Sequence, residues 1–332
     1  MIITRTPFRV SFFGGGTDYP VWYRENGGAV ISTTIDKFCY ISCRYLPPFF
    51  DHKYRIRYTS REETHSLSGI KHPSVRECIR SLNLQEGIEM VHTSDIPAQS
   101  GMGSSSAFTV GFLNALYALK GKMVSKRHLA EDAINIEQNI LKENIGTQDQ
   151  VAAAFGGLNK IEFGGESDFY VYPITVSKKK IEILQEHLML FFTGFTRNAS
   201  DIAGEQIKMT PEKKDTLKRM REMVDEAISI INGSSSNITD FGRLLHETWL
   251  LKRSLTGKIT TRDIDNIYET AMEAGALGGK LLGAGGGGCI LFFVEPQLHA
   301  AVQETLKNLT YIPFKFENLG SQIVYYAPQN YF

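Results

Sequence analysis

Apolar and polar positions alternate with period two over much of the first half of the chain. Ile2–Thr6, Phe8–Phe13, Ala29–Ile35, Phe38–Tyr45 and Tyr54–Tyr58 are rich in β-branched and aromatic residues and read as strands. A helix over Pro73–Leu82 and a strand over Ile88–Thr93 follow. The segment Ser104–Lys120 is apolar almost all round, which predicts a helix buried on most sides. Ser125 is placed to cap a further helix running to Lys142. Short strands are expected at Leu158–Phe163 and Phe169–Ile174, then a solvated connection at Lys178–Lys180. The second half begins with a strand at Leu188–Thr193. Helices are expected over Ser200–Ile231 (with a break at Pro211), Phe241–Leu255 and Thr261–Ala274. The pattern closes with a strand at Cys289–Val294, a helix at Pro296–Leu309, and strands at Ile312–Phe316 and Gln322–Tyr326. There is no internal repeat, and no low-complexity segment beyond Ser234–Ser236. Strands and helices alternate irregularly, so the fold class is α+β. Two domains are expected, 1–185 and 186–332.

Composition narrows the function class. The 332 residues carry 36 Lys+Arg against 36 Asp+Glu, a formal net charge of zero, which gives no electrostatic footprint for nucleic acid or an anionic membrane. The apolar runs fall far short of the roughly 18 residues that a membrane span needs. Arg5 and Arg9 interrupt the first apolar stretch, so no signal-peptide core is read there. Cys39, Cys43, Cys78 and Cys289 form no CxxC pair. A reduced, cytoplasmic protein is the expectation.

Glycine is the outlier. Of 30 glycines, ten fall in three short clusters. Gly283–Gly288 spells GxGxxG, but a dinucleotide site needs a helix after the glycines, and Cys289–Val294 reads as a strand. A tight hairpin or close backbone packing is the alternative. The loop Pro97–Ala107 joins a strand to the buried helix through Gly101, Gly103 and three consecutive serines. Helix N-termini leave N–H groups unpaired and favour negative charge, so this loop makes a phosphate cradle. It can equally be read as a Ser-capped helix. No lysine follows as in a Walker A loop.

Carboxylates supply the second signal. On a helical projection Glu137 falls at the centre of the apolar stripe made by Leu129, Ala130, Ala133, Ile134, Ile136, Ile140 and Leu141. A carboxylate there needs a partner, either a structural cation or Mg²⁺ facing the phosphate loop. Asp149 follows Gly146 and precedes the small residues Val151–Ala154. It reads as a helix cap or, in a cleft, as a general base. Arg9 lies in an apolar strand and requires a carboxylate partner, which Asp149 would supply. Asp18 follows the Gly14–Gly16 turn, where its short side chain suits sugar hydroxyls.

Taken together and in this order, Arg5–Asp18, Pro97–Ala107 and Lys280–Gly288 resemble the three motifs of the GHMP small-molecule kinase superfamily, across essentially the whole chain. The resemblance implies a ribosomal-protein-S5-domain-2-like N-terminal domain and a ferredoxin-like C-terminal domain, with the site between them. It implies ATP bound by Pro97, Ser100, Gly101, Met102, Gly103, Ser104, Ser105 and Ser106, and Mg²⁺ on Ser105 and Glu137. Asp149 would be the base beside Arg9, with Gly15, Gly16, Thr17, Asp18, Gly285 and Gly286 on the acceptor side. Met102 stands where leucine is usual, and Gly15-Gly16 stands where galactokinases carry Glu-His, so galactose is not the expected acceptor. The Ser11–Asp18 and Phe192–Ser200 stretches are most similar to bacterial D-glycero-D-manno-heptose 7-phosphate kinases. That likeness implies a sugar-phosphate substrate phosphorylated at the anomeric hydroxyl, for GDP-heptose and surface glycans. Arg197, before Ser200 as cap of a helix beginning near Asp201, is placed to hold the distal phosphate. An L-fucokinase-like sugar 1-kinase and a catalytically silent sensor are the alternatives. A homodimer is compatible with the family.

Overall fold

The computed structural model describes residues 1–166, 168–196, 199–233 and 237–328. In chain order the first elements are β1 (Ile2–Phe13), α1 (Pro20–Asn26), β2 (Gly28–Tyr45), β3 (Tyr54–Arg57) and β4 (Arg61–Thr64). Next come α2 (Pro73–Ser81), β5 (Ile88–Ser94), α3 (Ser104–Leu119), α4 (Lys126–Ile134), α5 (Gln148–Phe155), β6 (Asn159–Phe163) and β7 (Phe169–Pro173). The second half holds α6 (Lys178–Glu186), β8 (Leu188–Phe192), α7 (Ala199–Met209), α8 (Lys214–Asn232), α9 (Thr239–Arg253) and α10 (Arg262–Glu273). It ends with β9 (Ala276–Leu281), β10 (Cys289–Val294), α11 (His299–Thr305), β11 (Thr310–Tyr311), β12 (Phe316–Glu317) and β13 (Gln322–Tyr326).

Among the described residues the strands form two sheets. The larger has nine strands, with β13-β1-β2-β5-β3-β4 in order and with β6 and β12 also on β2. The smaller runs β11-β8-β10-β9, antiparallel throughout. The chain after residue 314 therefore returns to the first sheet, and one cut at residue 185 does not separate the two. Helix α3 lies across β1 and β2, and only Ser104, Ser105 and Tyr117 of its residues are not buried. Alternation along β1 turns Arg9 and Ser11 toward one face, while the rings of Phe12 and Phe13 meet Phe241 of α9 edge-on at 5.5 and 5.0 Å. That aromatic contact ties the two sheets together beneath the site. The four cysteines are buried free thiols.

The differences from the sequence reading have physical causes. The two strands expected before residue 13 are one, because Pro7 sits at an irregularity in the β1–β2 register rather than ending the strand. The lysines at 178–180 open α6 instead of a connection, with Ser177 as the cap that accepts from the Lys180 N–H. Helix α1 and strand β9 were not expected, and α5, which the cap reading of Asp149 placed after that residue, already begins at Gln148. The Ser125 cap is present and accepts from the His128 N–H. Beyond α4 the helix widens into a π-turn over Asn135–Ile140, which contains Glu137. Ser200 lies inside the first turn of α7 rather than at its cap, and its hydroxyl accepts from the Asn144 N–H. Arg197 and Ser234–Ser236 lie outside the described residues.

Candidate active site

A cavity of about 570 Å³ opens between the two sheets, lined by the β1 face, the start of α3, the segment before α5, and residues of α7, α9 and β9. Its size is that of a small-molecule site. Helix α3 begins at its wall. The N-cap is Gly103 at φ +73°, and no side chain caps the helix. The serine-cap reading of this loop therefore does not hold, and among the described residues the first-turn amides lack both intrahelical and side-chain acceptors. Gly101, Gly103, Ser104, Ser105 and Ser106 line the cavity. Ser100 and Met102 are fully buried behind the loop, and Pro97 is exposed. Of the expected nucleotide set, these three do not face the cavity.

The third glycine cluster is a turn between the antiparallel strands β9 and β10, not a dinucleotide fingerprint. It locks against the phosphate loop: the Cys289 N–H donates to the Ser100 carbonyl at 2.7 Å. Gly101 and Gly283, both at positive φ, meet so closely that a Cβ on Gly283 would lie 2.7 Å from the Gly101 Cα. Gly283 and Ala284 reach the cavity. Gly285 and Gly286 do not: they pack on the Ile259 backbone, and the Gly286 N–H is spent on the Ile259 carbonyl at 2.8 Å.

At the centre, Arg9 and Asp149 form a two-pronged ion pair. Nε donates to Oδ1 at 2.7 Å and Nη2 to Oδ2 at 2.8 Å, while Nη1 donates to the Gly101 carbonyl at 2.7 Å. Asp149 is in the first turn of α5, after the N-cap Thr147, so it is not a cap. Beside the pair, Asp18 is buried, and burial raises its carboxyl above the ordinary range despite the Gly16 N–H that it accepts at 2.9 Å. Gly15, Gly16 and Asp18 line the cavity. Thr17 does not, because its hydroxyl holds the turn by donating to the Gly14 and Ala29 carbonyls. The Ser11 Oγ and the Gln148 Oε1 also line this end, both buried and without a hydrogen-bond partner among the described residues. Unpaired buried polar atoms at a cavity wall are places for a polar ligand.

Glu137 lies behind the serines, wholly buried. Its carboxylate accepts from the Ser106 and Thr109 hydroxyls at 2.8 Å each, from the Gln150 amide, and from the Ser105 hydroxyl at 3.4 Å. Burial pushes its pKa up to about 7, against the pull of those hydrogen bonds. No cation pairs with it among the described residues, which removes the structural ion pair as its explanation. The donor set fits Mg²⁺, which takes one or two carboxylates and otherwise relies on phosphate and water. An all-protein cage is absent among the described residues.

At the far end, His72 stacks on Phe108 at 4.9 Å and His92 meets the same ring edge-on at 5.1 Å. Burial lowers the pKa of both histidines, giving a neutral aromatic wall. Sequence reasoning missed these residues, as it missed Lys252, and it gave Gln148 and Lys280 no role, because no local pattern marks side chains that converge only in the fold. Gln150, directly after Asp149, was given no role either.

The chain is similar to known proteins over most of its length. The GHMP kinases N-terminal domain matches residues 72–157, and the GHMP kinases C-terminal domain matches residues 223–311. D-glycero-alpha-D-manno-heptose 7-phosphate kinase of Campylobacter jejuni is 30% identical over 89% of this chain and 90% of its own length. The L-fucokinase/L-fucose-1-P guanylyltransferase of Bacteroides fragilis is 25% identical over 90% of this chain, which spans 35% of that longer protein. Among solved structures, a D-glycero-D-manno-heptose 1-phosphate kinase from Bacteroides thetaiotaomicron superposes with TM-score 0.79 at 23% identity, over 97% and 98% of the two chains. A mevalonate kinase gives TM-score 0.73 at 20% identity, over 96% and 100%. At such identities these two establish the fold alone. The chain belongs to the GHMP kinases, as a sugar kinase that transfers phosphate to a hydroxyl acceptor.

Proposed function

We propose that the protein transfers the γ-phosphoryl group of ATP to the anomeric hydroxyl of D-glycero-D-manno-heptose 7-phosphate. The product would be the 1,7-bisphosphate, a precursor of GDP-heptose for surface glycans. The observation that carries the chemistry is the Arg9–Asp149 pair, held at 2.7 Å beside the uncapped start of α3. Asp149 accepts or orients the hydroxyl proton. The acceptor oxygen bonds to the γ-phosphorus while the bond to the bridging oxygen of ADP breaks. Amides at the start of α3 take up the charge that develops on the phosphates. Arg9 holds the Asp149 carboxylate aimed through its two-pronged contact. Ser105 and Glu137 would hold Mg²⁺, which supplies neutralisation of the phosphate oxygens. The neutral wall of His72, His92 and Phe108 suits a stacked purine.

The acceptor assignment rests on the Campylobacter jejuni relative and on the polar end of the cavity. Asp18 and the unpaired Ser11 and Gln148 atoms suit a polyhydroxylated ring. Arg197, which precedes α7 in sequence, is proposed for the distal phosphate; α7 lines the cavity through Ser200, Ala203 and Gln206. The second reading, an L-fucokinase-like sugar 1-kinase, is supported by the Bacteroides fragilis relative. A coupled assay of ADP release across heptose 7-phosphate, unphosphorylated heptose and L-fucose separates them. The proposal expects the highest kcat/KM for the 7-phosphate, and preference for either neutral sugar would reject it.

A further inference from the structure

Two lysines outside the expected machinery line the same cavity. Lys252 lies in the last turn of α9 and Lys280 lies on β9, with 4% and 1% of their surfaces exposed. Lys280 Nζ donates to the Phe12 carbonyl at 3.0 Å. Lys252 Nζ donates to the Leu281 carbonyl at 3.2 Å and to the Gly283 carbonyl. An ammonium has three donors, so among the described residues Lys280 keeps two and Lys252 keeps one. Neither has a carboxylate within ion-pair distance there. Burial lowers the pKa of both, and their mutual repulsion lowers that of Lys280 further. Asp18 acts on both lysines and Asp149 on Lys252, but neither carboxylate reaches ion-pair distance among the described residues, so burying the two ammonium groups costs the fold and a bound anion would relieve that cost.

Position identifies the anion. Gly283, which accepts from Lys252, packs on Gly101 of the phosphate loop, and Gly101 in turn accepts from Arg9. The ammonium of Lys252 therefore sits at the seam between the loop and the Arg9–Asp149 pair. Arg9 itself already donates from all three of its nitrogens, and its charge is matched by Asp149. We propose that Lys252 and Lys280 are catalytic residues that bind the phosphoryl group in transit, between the leaving oxygen of ADP and the acceptor oxygen. This rests on the phosphoryl-transfer reading of the cavity.

Lys252→Met and Lys280→Met keep the apolar stems and remove the charge. Each should lower kcat by about 10²–10³-fold with any sugar that the wild type accepts, while KM for ATP moves little. A second measurement compares affinity for MgADP with and without fluoroaluminate, a mimic of the planar phosphoryl group. The wild type should bind more tightly with fluoroaluminate, and the methionine variants should lose that gain while binding MgADP normally. Their melting temperatures should equal or exceed the wild type's, because a desolvated charge with no ion-pair partner among the described residues is gone. Lower melting temperatures with an intact fluoroaluminate gain would make the lysines structural and overturn the proposal. So would a rise in KM confined to phosphorylated acceptors with kcat unchanged, which would assign the pair to the substrate's own phosphate. The fluoroaluminate measurement needs no acceptor, so it reads the lysines even if heptose 7-phosphate proves not to be the substrate.

Discussion

Glu137 shows how far a single residue can be read before the fold is known. Its place on an apolar stripe signalled a buried charge needing a partner, but the stripe could not say which partner. The structure surrounds it with hydroxyls and an amide instead of a cation, and its pKa rises to about 7. A raised carboxyl has a definite sign. Unfolded, the group ionises near 4.5; folded, it ionises near 7. Between these values the folded state binds more protons, so stability from this residue is lost as pH rises through that window, and the penalty stands in full above 7. Glu137→Gln should flatten this part of the pH–stability profile of the nucleotide-free protein and abolish Mg²⁺-dependent turnover. A variant with wild-type activity would remove Glu137 from the metal site. For Asp149→Asn, the amide keeps an acceptor for Arg9 but is a poor base. Single-turnover rates should fall by about 10²–10⁴-fold with nucleotide affinity nearly unchanged. An undiminished rate would leave Asp149 a partner for Arg9 and no more.

At the scale of elements, the site is made by two backbones meeting rather than by one motif. The phosphate loop and the β9–β10 turn each place a glycine at positive φ where they touch. Gly101→Ala would put a Cβ 2.4 Å from the Leu282 carbonyl, at a φ of +75° that L-residues avoid. The loop must then shift, and KM for ATP should rise at least tenfold with a loss of stability above about 1 kcal/mol. Unchanged KM and melting temperature would show that the contact is dispensable. Helix α3 was legible because its residues are apolar on every side, a pattern that strands of ordinary length do not produce. Strand β9 was not. Its sequence Ala-Leu-Gly-Gly-Lys-Leu carries two central glycines and a lysine, features that argue against a strand. Those glycines are required by packing: a Cβ on Gly278 would lie 2.0 Å from the Gly242 carbonyl of α9. Helix α5 was legible only as a cap at Asp149, since Val151–Ala154 are small residues with no helical stripe to give its extent.

At the scale of the molecule, local patterns identified the strands of both sheets better than their partners. That β12 and β13 return to β2 and β1 is a long-range pairing invisible to period-two alternation, and it is why a division at residue 185 looked natural. Motif order carried more information than any single motif, because three glycine clusters far apart in sequence had to converge on one cavity. Two of them now face each other across Gly101 and Gly283, and the first supplies Arg9, Ser11 and Asp18. No helix among the described residues is long and apolar enough to cross a membrane. The central claim is transfer of the γ-phosphoryl group to the anomeric oxygen of a sugar phosphate. Phosphorus NMR of the products formed from MgATP and D-glycero-D-manno-heptose 7-phosphate tests it most directly. The account predicts ADP together with a new phosphate signal coupled to the anomeric proton, the C7 phosphate remaining in place. A new phosphate on any other carbon, or ATP left intact with heptose 7-phosphate but converted to ADP when L-fucose is supplied instead, would contradict it.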